Sequence, residues 1–179
     1  NVGRLMRELL VLCPRMPPWN GADAQRVRVM LPFLSTHGWR ATVVALDADS
    51  EAGGRDDELL ATVPADADVL RVRAWSRARA GRFGWRQASL RAWRPVQHLL
   101  ARLLRSRRFD AGLVSTTDFP LWPLSLRWPF PVVLDWQDPW LGTYYDAHPG
   151  LRPPGGRWRY AAMQALARRQ SQREFDPVA

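Results

Sequence analysis

Two acids three residues apart, Asp135 and Asp138, sit in the segment Asp135-Trp-Gln-Asp138-Pro-Trp140, directly after the apolar run Pro131-Val-Val-Leu. Carboxylates where a strand ends can take a proton as general bases or accept hydrogen bonds from sugar hydroxyls. Pro139 fixes the direction in which the chain leaves Asp138. A plainer reading has Asp135 capping a turn and Asp138 opening the next helical turn. The loop from Pro14 to Ala22 is a second place for chemistry. Gly21 allows a ligand close to the backbone, and the helix start around it offers unpaired N–H groups to an anion. Ordinary helix capping, with Asn20 as the cap and Asp23 in the first turn, would use the same residues. A third feature is charge: from Val69 to Phe109 there are 12 arginines and no acid, interleaved with Trp75, Trp85 and Trp93. Such a run can meet the phosphates of a nucleic acid, an anionic lipid surface or a lipid diphosphate. Its expected contacts are Arg82, Arg86, Arg91, Arg94, Arg102 and Arg105, unless the run is simply a solvated helix face.

Other chemistries find little support. His37, His98 and His148 are far apart in the chain and have no partner at metal-ligand spacing. His37, beside Gly38, reads as a helix end. Cys13 closes an apolar run and reads as core rather than as a nucleophile. The sequence contains no G-x-S-x-G elbow, no G-x-G-x-x-G fingerprint and no phosphate-loop motif.

The elements that would position these residues alternate. Glu8 to Cys13 is a short buried strand ended by Pro14. A helix from about Gly21 to Thr36 places Val27, Met30, Leu31 and Leu34 on one face, and Gly38 stops it. Ala41 to Leu46 is the next buried strand. Strand, helix and strand within this length form a βαβ unit, with parallel strands and a right-handed crossover. Asp56 to Thr62 reads as a short helix and Asp68 to Arg73 as a strand. Trp85 to Arg108 is helical in period, with Pro95 expected to kink or break it. Asp110 to Ser115 and Pro131 to Asp135 are further strands, the latter expected to be buried, with a proline-interrupted helical piece between them. Arg157 to Arg173 is a closing helix. Alternation of this kind predicts an α/β fold: a Rossmann-like three-layer sandwich with a mostly parallel sheet. The expected boundaries are a leader at 1–5, one domain at 6–173 and a tail at 174–179.

Composition agrees with a globular chain. Of 179 residues, 46% are apolar and 24% charged, which excludes bulk disorder. A single cysteine excludes an internal disulfide framework and fits a reducing compartment. The longest apolar stretch, Leu121 to Leu134, has 14 residues, carries Arg127 and holds three prolines, so it falls short of the roughly 20 residues that span a bilayer. The net charge is +9, and all 26 basic residues are arginine. A nucleic-acid binder ordinarily mixes lysine with arginine, so the missing lysine reads mostly as a GC-rich coding bias.

At this point the residues resemble a family. Pro14, Pro17, Gly21, Ala24-Gln-Arg26, Leu31, Leu34, Gly38 and Val43-Val44 look like the opening of family 4 glycosyltransferases. The Val132-to-Trp140 segment looks like the D-x-x-D-P-W element of many N-terminal domains of the subfamily-4-like type. The resemblance covers roughly residues 7–172 and implies the N-terminal half of a GT-B fold, which is the acceptor side. It further implies transfer from a nucleotide-sugar to a saccharide or lipid-linked acceptor, with no metal or other cofactor required. Gly21 would lie near the donor phosphates, Asp138 would face the reacting sugar as the catalytic residue, and Asn20, Gly21, Asp135, Gln137 and Trp140 would bind substrate. Many relatives carry histidine where this chain has Gln137, which cannot act as a base. The family's Glu-x7-Glu motif belongs to the donor half; the nearest pair here, Glu51 and Glu58, is separated by six residues. The expectation is therefore an acceptor-side half partnered by a separate donor domain, cytoplasmic and peripheral on the inner face of the plasma membrane. The competing reading is an arginine-rich nucleic-acid-binding module, although no helix-turn-helix, zinc or RNP-like pattern appears.

Overall fold

The computed structural model describes residues 6–50, 54–81, 87–117, 119–135, 137, 141–153 and 156–175. Two compact units divide the chain at Gln137–Asp138. The first holds a five-stranded sheet in the order β3-β2-β1-β4-β5, with β1 Arg7–Leu12, β2 Trp39–Leu46, β3 Asp68–Val72, β4 Ala111–Ser115 and β5 Val132–Asp135. Every pair is parallel, with Leu10 opposite Thr42 and Gly112, and Ser115 opposite Asp135. This is a Rossmann-like α/β domain.

Helix α1, Ala22–Leu34, joins β1 to β2. Its Val27 and Leu31 close over Leu9, Val11, Cys13, Val43 and Ala45, the alternate residues of β1 and β2. Burying each such aliphatic side chain stabilises the fold by about 1.5–3 kcal/mol. Gly38 ends the helical stretch at φ 74°, a left-handed conformation that costs a glycine little, and its N–H donates to Ser35 O at 3.0 Å. His37 does stand at this helix end, with Nδ1 donating to Phe33 O at 2.8 Å. The predicted cap differs by one residue. Gly21, not Asn20, is the N-cap and makes no side-chain cap bond, while Asn20 Oδ1 accepts from Gln25 Nε2 at 3.3 Å. The reason is crowding: a Cβ at position 21 would collide with the Trp19 indole, so the close turn needs glycine there.

Helix α2, Arg77–Gly81, and helix α3, Ala88–Ser106, lead from β3 to β4. The crossover now runs the other way along the sheet, so right-handedness puts α3 on the face opposite α1 and completes three layers. Ala88, Ala92, Val96, Leu100 and Leu103 form its buried stripe. The helix runs through Pro95 without a break. Pro95 has no N–H for the Arg91 carbonyl four residues earlier. The Trp75 N–H takes that place at 3.3 Å, and Arg91 Nη1 donates back to Trp75 O at 2.6 Å. Arg91 Nη2 also donates to Ser50 O.

β5 corrects a further expectation. It is the edge strand and is only half covered, with Val133 63% exposed. An apolar run says that a strand suits burial, not whether a neighbour is present on both sides.

The second unit contains α4, Tyr144–Ala147, and α5, Arg157–Phe175, which continues two residues past the expected end. Tyr160 Oη donates to Gly142 O at 2.5 Å, and the Tyr145 and Tyr160 rings meet edge to face at 5.4 Å.

Candidate functional site

In an open parallel sheet, ligands bind beyond the carboxyl ends of the strands where the strand order reverses. Here that place lies between β1 and β4: the chain leaves β1 for β2 on one side and returns from β3 to β4 on the other. The loop after β1 is tied down there. Leu46 N donates to Pro14 O at 2.8 Å, Asp56 N to Pro18 O at 2.7 Å and Asn20 N to Gly54 O at 3.0 Å. Arg71, from β3, donates to Pro17 O.

Two polar clusters line this end, both anchored on the start of α1. In the first, Arg15 Nη1 donates to Asp23 Oδ2 at 2.8 Å and to Thr117 Oγ1 at 3.2 Å. Thr117 Oγ1 in turn donates to Asp23 Oδ2 at 3.3 Å. The Arg15 guanidinium stacks on the Trp19 ring at 5.5 Å from its centre. Asp23 is buried, and these donors satisfy its carboxylate oxygen. In the second cluster, Arg26 Nη1 donates to Asp135 Oδ1 at 2.7 Å, and Ser115 Oγ donates to Asp135 Oδ2 at 2.7 Å. Gln137 Nε2 reaches both Asp135 Oδ2, at 3.1 Å, and Ser115 Oγ, at 2.8 Å. Asp23 and Arg26 are three residues apart, one face of the helix, so a single helix start reaches β4 and β5 together.

Asp135 therefore has both oxygens occupied. That suits a carboxylate that organises a site rather than one that abstracts a proton. Cys13, at the end of β1, is buried, and that burial, reinforced by Asp23 nearby, pushes its thiol well above the ordinary range. A thiol so held is not a nucleophile. Below the ion pair, a groove of about 390 Å³ runs between α1 and the β4–β5 edge, lined by Arg26, Val27, Met30, Leu113, Val133 and Asp135.

Of the residues expected to bind substrate, Gln137 is hydrogen-bonded to Asp135, and Asn20 and Gly21 stand at the start of α1. Asp138 and Trp140 lie outside the described residues, as do Arg82 and Arg86. Arg91 is corrected outright. It is 3% exposed and holds backbone carbonyls, so it contacts neither membrane nor free anion. Arg94, Arg102 and Arg105 are exposed on the outer face of α3. Arg107, from the same run, pairs with Asp68 at 2.6 Å. The site residues that sequence reading missed are Arg15, Arg26, Ser115 and Thr117. Their signal was position, immediately after a strand or in the second turn of the first helix, and it became readable only once β4 was known to lie beside β1.

Two solved structures are similar over part of their length. A UGT transferase from Siraitia grosvenorii in complex with UDP is 11% identical at a TM-score of 0.46, over 71% of this chain and 27% of its own. TcCGT1 in complex with UDP is 10% identical at a TM-score of 0.47, over 72% of this chain and 28% of its own. The chain spans little more than a quarter of either. No protein-family model matches the sequence, and no curated protein matches it. Among the described residues, no helix is long and apolar enough to cross a membrane.

Proposed function

We propose that this chain is the acceptor-side domain of a glycosyltransferase of GT-B architecture. It would receive a sugar from a nucleotide-sugar onto a saccharide or lipid-linked acceptor, while a second Rossmann-like domain holds most of the donor. The observation that carries this reading is the polar seam at the switch point. Arg26, Asp135, Ser115 and Gln137 converge where the D-x-x-D-P-W segment leaves β5, and Arg15, Asp23 and Thr117 converge beside them. A few convergent polar groups at the end of a parallel sheet are what orient a small polar substrate. In this reading Asp138 is the catalytic residue, Asp135 is a positioning residue, and Asn20, Gly21, Gln137 and Trp140 bind substrate. The outer face of α3, with Arg94, Arg102 and Arg105, rests on the anionic inner leaflet of the plasma membrane, which makes the protein cytoplasmic and peripheral.

The test joins the chain to the donor-binding domain of a family 4 enzyme and supplies UDP- or GDP-sugars with saccharide and prenyl-phosphate acceptors. A new glycosidic product by mass spectrometry is the expected result, and no product from any pair would overturn the reading. Calorimetry on the chain alone should find no micromolar binding of a nucleotide-sugar. Micromolar binding would show that the donor site is here.

A further inference from the structure

The groove beside α1 has two properties that the polar seam does not explain. Its walls are apolar: Val27 and Met30 one turn apart on α1, Leu113 on β4, and Val133 and Leu134 on β5. Val133 is 63% exposed, although it sits in mid-strand on the side of the sheet that α1 covers further in. Leu113 and Val133 are register partners, as are Ser115 and Asp135, so the apolar wall leads along two adjacent strands straight to the ion pair. The second property is the arginine at its head. From Arg26, Asp135 accepts only the Nη1 donor. Nη2 and Nε of Arg26 make no hydrogen bond among the described residues, and the side chain is 63% exposed. A guanidinium fixed by a carboxylate through one nitrogen, with its remaining donors unused, is pre-organised for an anion.

We propose that this groove takes the aliphatic chain of a lipid phosphate, with the phosphate on the Nη2 and Nε donors of Arg26. Both halves of the ligand find a match: an apolar trough within the ordinary size range of small-molecule sites, and a held cation at its open end. As the seat of a lipid-linked acceptor the groove rests on the glycosyl-transfer reading, and it narrows the acceptor class to anionic amphiphiles. The two can fail separately, since lipid-phosphate binding is measured without any donor and transfer to a soluble sugar is measured without any lipid.

The experiment titrates the 179-residue chain with decyl phosphate below its micelle concentration, and with decyl maltoside and inorganic phosphate as comparison probes. Decyl phosphate should bind at least about tenfold more tightly than either comparison probe. Val133→Gln, a neutral polar change on an exposed edge position, should weaken decyl phosphate at least about tenfold while moving Tm by no more than about 3 °C. Arg26→Gln should weaken decyl phosphate to a similar degree and leave decyl maltoside unchanged. Absence of decyl phosphate binding would overturn the proposal. Equal binding of decyl maltoside would remove the phosphate from Arg26, and equal binding of inorganic phosphate would leave the groove without a role. An unchanged affinity in Val133→Gln would place the aliphatic chain elsewhere. A large loss of Tm in that variant would mark the β5 edge as a surface for packing protein, and would overturn the proposal equally.

Discussion

Asp135 and Asp138 are three residues apart, and their replacement should have opposite consequences. Asp135 accepts from Arg26, Ser115 and Gln137, so Asp135→Ala strands three donors at the end of the sheet. The ion pair itself contributes little, because Arg26 is mostly in solvent. The fully buried Ser115 hydroxyl and the half-buried Gln137 amide matter more, and the expected loss is about 1–3 kcal/mol of stability by chemical denaturation. On the proposed glycosyl-transfer reading, Asp138→Asn should instead lower the turnover of the chain joined to a donor domain by at least about 10²-fold, the scale of a lost acid–base or orienting group, with Tm nearly unchanged. Near-normal turnover with a large Tm loss would reduce Asp138 to a turn residue. Cys13 gives a third expectation. Its thiol is raised in the folded state, so above about pH 8.5 the unfolded chain sheds a proton that the folded chain keeps. Unfolding then releases protons, and stability present at neutral pH should decline as pH rises past that value. Cys13→Ala should flatten the decline. In the folded protein at pH 8, iodoacetamide should leave Cys13 unmodified until denaturant is added, as followed by mass spectrometry.

At the scale of elements, the clamp between α3 and the segment after β3 should be expensive to break. Arg91→Ala removes donors from the Trp75 and Ser50 carbonyls and opens a void beneath the helix start, an expected cost of about 3 kcal/mol. Arg94→Ala, one turn away on the solvent side, should stay within about 0.5 kcal/mol by the same urea titration. This contrast was partly legible. The period that places Ala88, Ala92 and Val96 inward also places position 91 on that stripe, but a long acid-free arginine run reads first as solvated surface. The pairing of Arg91 with Trp75 was not legible at all, because it depends on the carbonyl that Pro95 leaves free. The β1–α1–β2 unit was legible for the opposite reason: every signal in it is local, from the apolar runs to Gly38. Propensity favours Asn20 as the cap, whereas the Trp19 ring packed on Gly21 decides the turn. β5 was legible as a strand and not as an edge, since exposure there depends on what the rest of the chain leaves uncovered.

At the scale of the molecule, the sequence carried the α/β class but not the strand order. Right-handed crossovers allow β4 to pair with either free edge, and its place beside β1 is what assembles Arg15, Asp23 and Thr117. The charge excess also looks different in three dimensions. Arg91 and Arg107 are committed to internal partners, which leaves Arg94, Arg102 and Arg105 as an exposed row on a helix that contains no acid. Each arginine near an anionic bilayer contributes about 1 kcal/mol, so replacing all three with Gln should weaken co-sedimentation with phosphatidylglycerol vesicles about 10²-fold at low salt. Equal sedimentation with neutral vesicles, or a preference for duplex DNA, would assign the row another role. The central position of β1 has a consequence for how the chain is made. A strand with partners on both sides remains exposed along one edge until the second partner exists, and about a hundred residues of translation separate β1 from β4. At 5–20 residues per second that interval lasts on the order of 5–20 s, with an apolar strand edge open to any other nascent chain. Ribosome-bound chains stalled before residue 111 should therefore recruit trigger-type chaperones strongly, and chains stalled well past residue 135 should release them.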